Sequence, residues 1–388
     1  MWRAKGLLAI SIMMVGLGLI ALPGGVTIGE GNLRGKGNSS ESKLRVTVGE
    51  PIVLAPEQGY VNQVGVATSR TGAVAAFYTC STPGHKLHPD AKATAVYKVS
   101  RDSGQTWGEE MLSPPGAFVP MSVGLREGGV IKVLGLTALV EDGKLEAKWI
   151  RFTDDFLHYD IGTATAYVPD AALQTKWARF YPIFDKGKIT ELANGDLLAP
   201  MYGNLKEDTQ YRTMIVRSTD RGRTWHYQAT VAYDPKDPNP ELIGEYCGYC
   251  ESSLVLLPNG QLLCLLRTQG SQHAPYRPLY ASWSSDEGKT WTKPTPTNPH
   301  LLNVWPTLAV LDNGVVACIY GRPGVQVSFS TDNGHTWTNH VTFTDLPEPV
   351  TTGYADIVKV GPNKLLAIAG VGPGGTKAFP LTVDRVKD

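Results

Sequence analysis

The chain has 388 residues, of which 42% are hydrophobic and only 19% charged, with 42 Gly and 27 Pro. Lys plus Arg (36) equals Asp plus Glu (36), so no net field favours nucleic acid or an acidic membrane surface as a partner. Helix-forming stretches rich in Lys, Glu or Ala are few, which together with the many Gly and Pro fits one large all-β domain.

Residues 1–25 read as a signal peptide or N-terminal anchor. Arg3 and Lys5 precede an apolar run from Gly6 to Leu22, close to the length that spans a bilayer. Residues 26–45, rich in Gly, Ser and Asn, read as a flexible linker, with a glycosylation sequon at Asn38 that matters only in a eukaryotic secretory route. The expected location is secreted or extracytoplasmic, with the membrane reached only through the N-terminal segment. Of five cysteines, only Cys247 and Cys250 are close in sequence, and in an exported protein they can form a local disulfide. No second Cys or His pair sits at zinc spacing, so neither metal nor organic cofactor is implied.

From residue 46 to 388 the chain repeats a strand–turn–strand–strand unit. Unit one carries Val64–Thr68, a turn ending at Gly72, Ala73–Tyr78 and Ala95–Val99. Unit two runs from Met121 through Gly128 and Gly129 and Val130–Leu134 to a decayed box at Asp154 and Asp155. Unit three has Asn194-Gly195, Leu197–Tyr202 and Thr213–Arg217. Unit four has Ser252–Leu257, Asn259-Gly260 and Leu262–Arg267. Unit five has Thr307–Leu311, Asn313-Gly314, Val315–Tyr320 and Val325–Phe329. Unit six has Ala355–Val360, a turn at Pro362-Asn363 and Leu365–Ala369, and lacks one strand, which Leu44–Val48 or Pro51–Leu54 can supply. Six units of four short antiparallel strands predict a six-bladed β-propeller.

The phrase S-x-D-x-G-x-T-W ends the third strand of four units, at Asp102, Asp220, Asp286 and Asp332. Its Asp can accept backbone N–H bonds across a turn, its Gly supplies a positive φ, and its Trp plugs an apolar gap. The boxes are therefore structural rather than catalytic. They are the Asp boxes (BNR repeats) of the sialidase, or neuraminidase, superfamily of β-propellers, which the chain resembles over residues 46–388.

Propeller chemistry lies where the innermost strands converge, and the turn residues align the units. Nine residues before Gly260 lies Glu251, nine before Gly314 lies Trp305, and nine before Asn363 lies Tyr354. Glu251, an Arg after the next strand (Arg267), an Arg in unit five (Arg322) and Gly353-Tyr354-Ala355 follow the sialidase order. The resemblance implies a Tyr354 nucleophile activated by Glu251, because a neutral phenol is not repelled by a sugar bearing a carboxylate on its anomeric carbon. It also implies Arg267 and Arg322 as a clamp on that carboxylate. Blade one departs from the family pattern: Asn62 stands where the first clamp Arg belongs.

The resemblance also implies an acid/base Asp in the loop after the second strand of unit one, where Asp90 is the best carboxylate by position and His85 and His88 are alternatives. Asp356, two residues beyond Tyr354 and on the same side of its strand, can pair with Glu251 instead. Arg179, beside Trp177 and Tyr181, is a candidate replacement cation. The expected function is an exo-acting glycoside hydrolase that retains configuration on a terminal, acidic sugar, with a glycan or glycoconjugate as partner. The alternatives are a polysaccharide lyase or two-carboxylate glycosidase on the same propeller, or a non-catalytic glycan-binding propeller.

Overall fold

This computed structural model describes residues 44–55, 64–80, 94–114, 121–135, 137–173, 180–184, 187–236, 248–268, 277–302, 304–346, 353–372 and 375–386. Among these residues there are strands and no α-helix. The predicted leader and all but the last two residues of the predicted linker lie outside them. Those two, Leu44 and Arg45, open the first strand, Leu44–Val48.

The strands form sheets of sequential antiparallel neighbours. Val64–Thr68, Val74–Cys80, Thr94–Ser100 and Met111–Leu112 make one; Tyr249–Leu256, Leu262–Thr268, Tyr280–Ser284 and Thr295–Pro296 another; Thr307–Val310, Val316–Gly321, Val325–Ser330 and Thr338–Thr344 a third. The second and third sequence units are joined into one larger sheet by a short parallel pairing, Thr165–Tyr167 against Thr224–His226. In the last sheet, Ala355–Gly361 and Lys364–Gly370 pair on to Thr376–Arg385. Both candidate closing strands join there: Leu44–Val48 pairs with the second half of Thr376–Arg385, and Ile52–Ala55 with its first half. The two ends of the described chain thus meet in one sheet.

The hydrophobic core lies between consecutive sheets, because each middle strand is apolar on both faces. Leu262–Thr268 is buried along its whole length. Leu198 and Ile215 of unit three pack on Leu262 and Leu266 of unit four; Leu263 and Leu265 then pack on Leu308 and Val316 of unit five. The last sheet returns to the first through Leu366 and Ile368 against Val66 and Val74.

The four boxes close on themselves as the sequence predicts. In each, the Ser Oγ donates to the Asp carboxylate at 2.7–2.9 Å and accepts from the Gly N–H, while the Thr Oγ1 donates to the same Asp at 2.6 Å. The Thr donors hold Asp102 and Asp286 down at about 2. The box glycines also touch the preceding unit. At Gly334 (φ +88°) a Cβ would sit 2.5 Å from Leu263 Cδ2, whereas at the hairpin Gly260 (φ +84°) nothing lies within 4 Å. Gly260→Ala meets only the left-handed backbone penalty, about 1–2 kcal/mol. Gly334→Ala adds overpacking and is expected to cost about 3 kcal/mol. Urea unfolding of the two variants checks this; equal losses would show that box glycines serve conformation alone.

Candidate active site at one end of the inner strands

Glu251 lies where the ladder of Tyr249–Leu256 slips between Cys250 and Ser253, with φ +29°. A bulge of this kind turns a side chain out of the pleat's regular alternation. Trp305 (φ +46°) precedes Thr307–Val310, and Arg322 (φ +56°) follows Val316–Gly321. Three non-glycine residues in left-handed conformations on neighbouring units mark a place where the fold holds strain, as functional sites do. Tyr354 precedes Ala355–Gly361. Its neighbour Gly353 lies against unit five so closely that a Cβ on Gly321 would fall 2.1 Å from the Gly353 carbonyl oxygen. That contact brings Arg322 over the Tyr354 ring, with Cζ 5.5 Å from the centroid.

These residues converge. The Tyr354 hydroxyl donates to Glu251 Oε1 at 3.4 Å, and the Trp305 and Tyr354 rings lie 4.1 Å apart, centroid to centroid. Arg267 donates through its guanidinium to Glu251 Oε2, and both side chains are 7% exposed. Burial alone would push the Arg267 guanidinium down, but Glu251 opposite holds it above its ordinary value. Arg267, expected as part of a substrate clamp, is thus turned toward Glu251. There it fixes the carboxylate that faces Tyr354.

Asp356, two residues beyond Tyr354, meets Lys188 and does not pair with Glu251. It is fully buried and accepts from Lys188 Nζ (2.5 Å) and from the backbone N–H groups of Val66 (2.7 Å) and Ile357 (2.8 Å). A carboxylate enclosed this way is taken out of the expected two-carboxylate pair, because its oxygens are committed and no sugar can reach it. Asn62, Asp90, Arg179, Trp177, His85 and His88 lie outside the described residues. So does Cys247; Cys250, Cys264 and Cys318 are buried. Among the described residues no group of His, Cys, Asp and Glu could hold a metal ion.

Lys188 and Lys132 were not read from sequence. A lysine inside the apolar run Val130–Val133 was the available signal for Lys132. It is fully buried, with Nζ 4.5 Å from the centre of the Phe77 ring. Burial, reinforced by Lys188 and offset by Asp356, lowers Lys132 from 10.5 to about 7. The folded state then releases a proton that the unfolded chain still holds between pH 7 and 10.5. Stability therefore rises with pH in that window, by at most about 1.4 kcal/mol per unit, and is flat below it. Lys132→Met is expected to remove that slope. Denaturant unfolding at pH 6, 7, 8 and 9 checks it, and parallel curves for variant and wild type would refute it.

The far halves of the inner strands line a cavity of about 600 Å³, through Val66–Ser69, Leu254–Leu256, Leu308–Val310 and Ile357–Gly361, and Lys188 also lines it. The Glu251–Tyr354 cluster belongs to the opposite ends of these strands.

Self-locking Asp-box turns on successively packed sheets, with a polar cluster at one end of the inner strands, define an Asp-box repeat protein with a propeller-like fold. The chain belongs to the BNR repeat-like domain family, which matches residues 159–365, just over half of its length. No curated protein matches it in sequence. Its fold is similar to that of a protein of unknown function from Dyadobacter fermentans DSM 18053 (TM-score 0.64, 19% identity, 87% of this chain and 99% of that one). It is also similar to the alpha-L-arabinanase of Penicillium chrysogenum (0.58, 14%, 87% and 98%) and to the Hadza microbial sialidase Hz136 (0.55, 13%, 84% and 66%). At these identities the likeness is one of fold.

Proposed function

We propose that the chain is a six-bladed propeller glycoside hydrolase that cleaves a terminal sugar with retention, using Tyr354 as nucleophile and Glu251 as its base. The observation that carries this reading is the Tyr354–Glu251 hydrogen bond, with Arg267 behind Glu251. The six-blade count is supported by contacts between innermost strands and by the meeting of both chain ends in the last sheet. In the first step, Tyr354 Oη bonds to the anomeric carbon as its proton passes to Glu251, and the glycosidic oxygen leaves with a proton from the acid, for which Asp90 is the candidate. Water then cleaves the glycosyl–tyrosine bond, and the phenol regains its proton. Sialidase and arabinanase neighbours of similar fold support a glycosidase in general. An acidic sugar is favoured by Arg322 beside Tyr354. The turning of Arg267 toward Glu251 and the Asn62 position in blade one favour a second reading, a sugar without an anomeric carboxylate. Export through the N-terminal segment is part of the proposal.

The test is turnover of fluorogenic glycosides: an α-sialoside, its deaminated analogue and an α-L-arabinofuranoside, with product configuration read by NMR. Retention on a sialoside supports the first reading, and turnover of the arabinofuranoside alone the second. Inversion, or an unsaturated product absorbing in the ultraviolet, overturns both.

A further inference from the structure

The segment Gly187–Lys188, which leads into Thr190–Glu191, touches both strands that carry the reactive pair. Gly187 lies flat against the strand of Glu251: a Cβ there would be 2.2 Å from Ser252 O and 2.9 Å from Ser253 Cα. Its backbone is not left-handed, so glycine is required for closeness rather than for conformation. One residue on, Lys188 Nζ donates to Asp356 Oδ2 at 2.5 Å and to the Val66 carbonyl at 2.9 Å. Asp356 stands two residues beyond Tyr354, in the strand that Tyr354 leads into.

We propose that Gly187–Lys188 is a strut that sets the separation between Glu251 and Tyr354, with Lys188 and Asp356 as positioning residues. The proposal rests on the reading of Tyr354 and Glu251 as the reactive pair. Their strands are not neighbours in any sheet; Thr307–Val310 packs between them. The strut is a direct link, with backbone contact at one end and an ion pair at the other. At 3.4 Å the Tyr354–Glu251 bond is at its long limit, so a small displacement decides whether a proton crosses it.

A buried ion pair is poorly explained by stability alone, because apolar residues of the same size often serve as well or better. Burial pushes Lys188 down and Asp356 up, while each opposes the shift of the other. Lys132, also fully buried, is a third titratable group that both of them influence. A pair under that burden fits a geometric role.

The test does not need turnover. In protein carrying 3-fluorotyrosine, the resonance lost in Tyr354→Phe assigns Tyr354, and its pH titration follows the phenol. Gly187→Ala and the double variant Lys188→Met/Asp356→Asn, which removes both members of the ion pair together, are expected to move that resonance and its titration. Lys359→Met, which breaks the exposed Lys359–Asp312 pair (2.6 Å), is expected to leave both in place. On a glycoside that wild type hydrolyses, the double variant is expected to lose roughly 10²-fold in kcat with KM within about twofold, as a misplacement near 1 Å does. Lys188→Arg is expected to recover part of the loss. An unmoved Tyr354 signal in the folded double variant overturns the strut. A moved signal in a protein that hydrolyses no glycoside upholds the strut and removes the hydrolase reading.

Discussion

Tyr354→Phe is expected to abolish turnover by about 10³-fold or more while leaving the fold intact, because it deletes the proposed attacking atom and nothing else. The ring keeps its place: Trp305 lies 4.1 Å away and Arg322 covers the face at 5.5 Å, contacts that Phe retains. The hydrogen bond to Glu251 is a long one, and its loss should change stability by no more than about 1 kcal/mol. The check is kcat on the best glycoside of the panel, beside a melting curve of the same preparation. A Phe variant that turns over at the wild-type rate would show that the Tyr354 hydroxyl is not the nucleophile. Substrate that still binds but does not turn over is the expected signature.

Much of the fold was legible because its signals are local. The Asp boxes encode their own hydrogen bonds, and the hairpin turns at Gly260, Gly314 and Asn363 provide a frame in which Glu251, Trp305 and Tyr354 fall at one height. The structure brings all three together. Both candidate closing strands were visible as short apolar runs, and both pair with Thr376–Arg385. What was not legible depends on residues distant in sequence. The period-2 rule put Asp356 on the side of Tyr354, but nothing local says that Lys188, 168 residues away, waits there. Arg267 was read as a clamp because the resemblance to sialidases implies one at that place in the pattern. The bulge at Glu251, which lets Arg267 reach that carboxylate, leaves no mark in the residue types. The parallel pairing of Thr165–Tyr167 with Thr224–His226 likewise joins strands that turn chemistry keeps apart.

The Glu251–Arg267 pair is where stability and function should separate. Both side chains are 7% exposed, so removing either charge leaves the other buried and uncompensated. Glu251→Gln and Arg267→Met are each expected to destabilise by about 3–5 kcal/mol. The double variant should lose much less than their sum, since it buries no unpaired ion, with a coupling energy of about 3 kcal/mol at the upper end for contacting residues. Arg267→Lys keeps the charge but not the planar fork, and should fall between wild type and Arg267→Met. Urea unfolding of the four proteins closes the cycle, and additive losses would mean that the two groups do not act as a pair. Turnover should follow a different order. The double variant regains stability but not activity, because Glu251 is the base proposed to take the Tyr354 proton and no apolar packing replaces a base. A variant that is stable, folded and inert would show that this ion pair is kept for its chemistry. Recovery of turnover along with stability would make it a structural pair and move the search for the base elsewhere in the site.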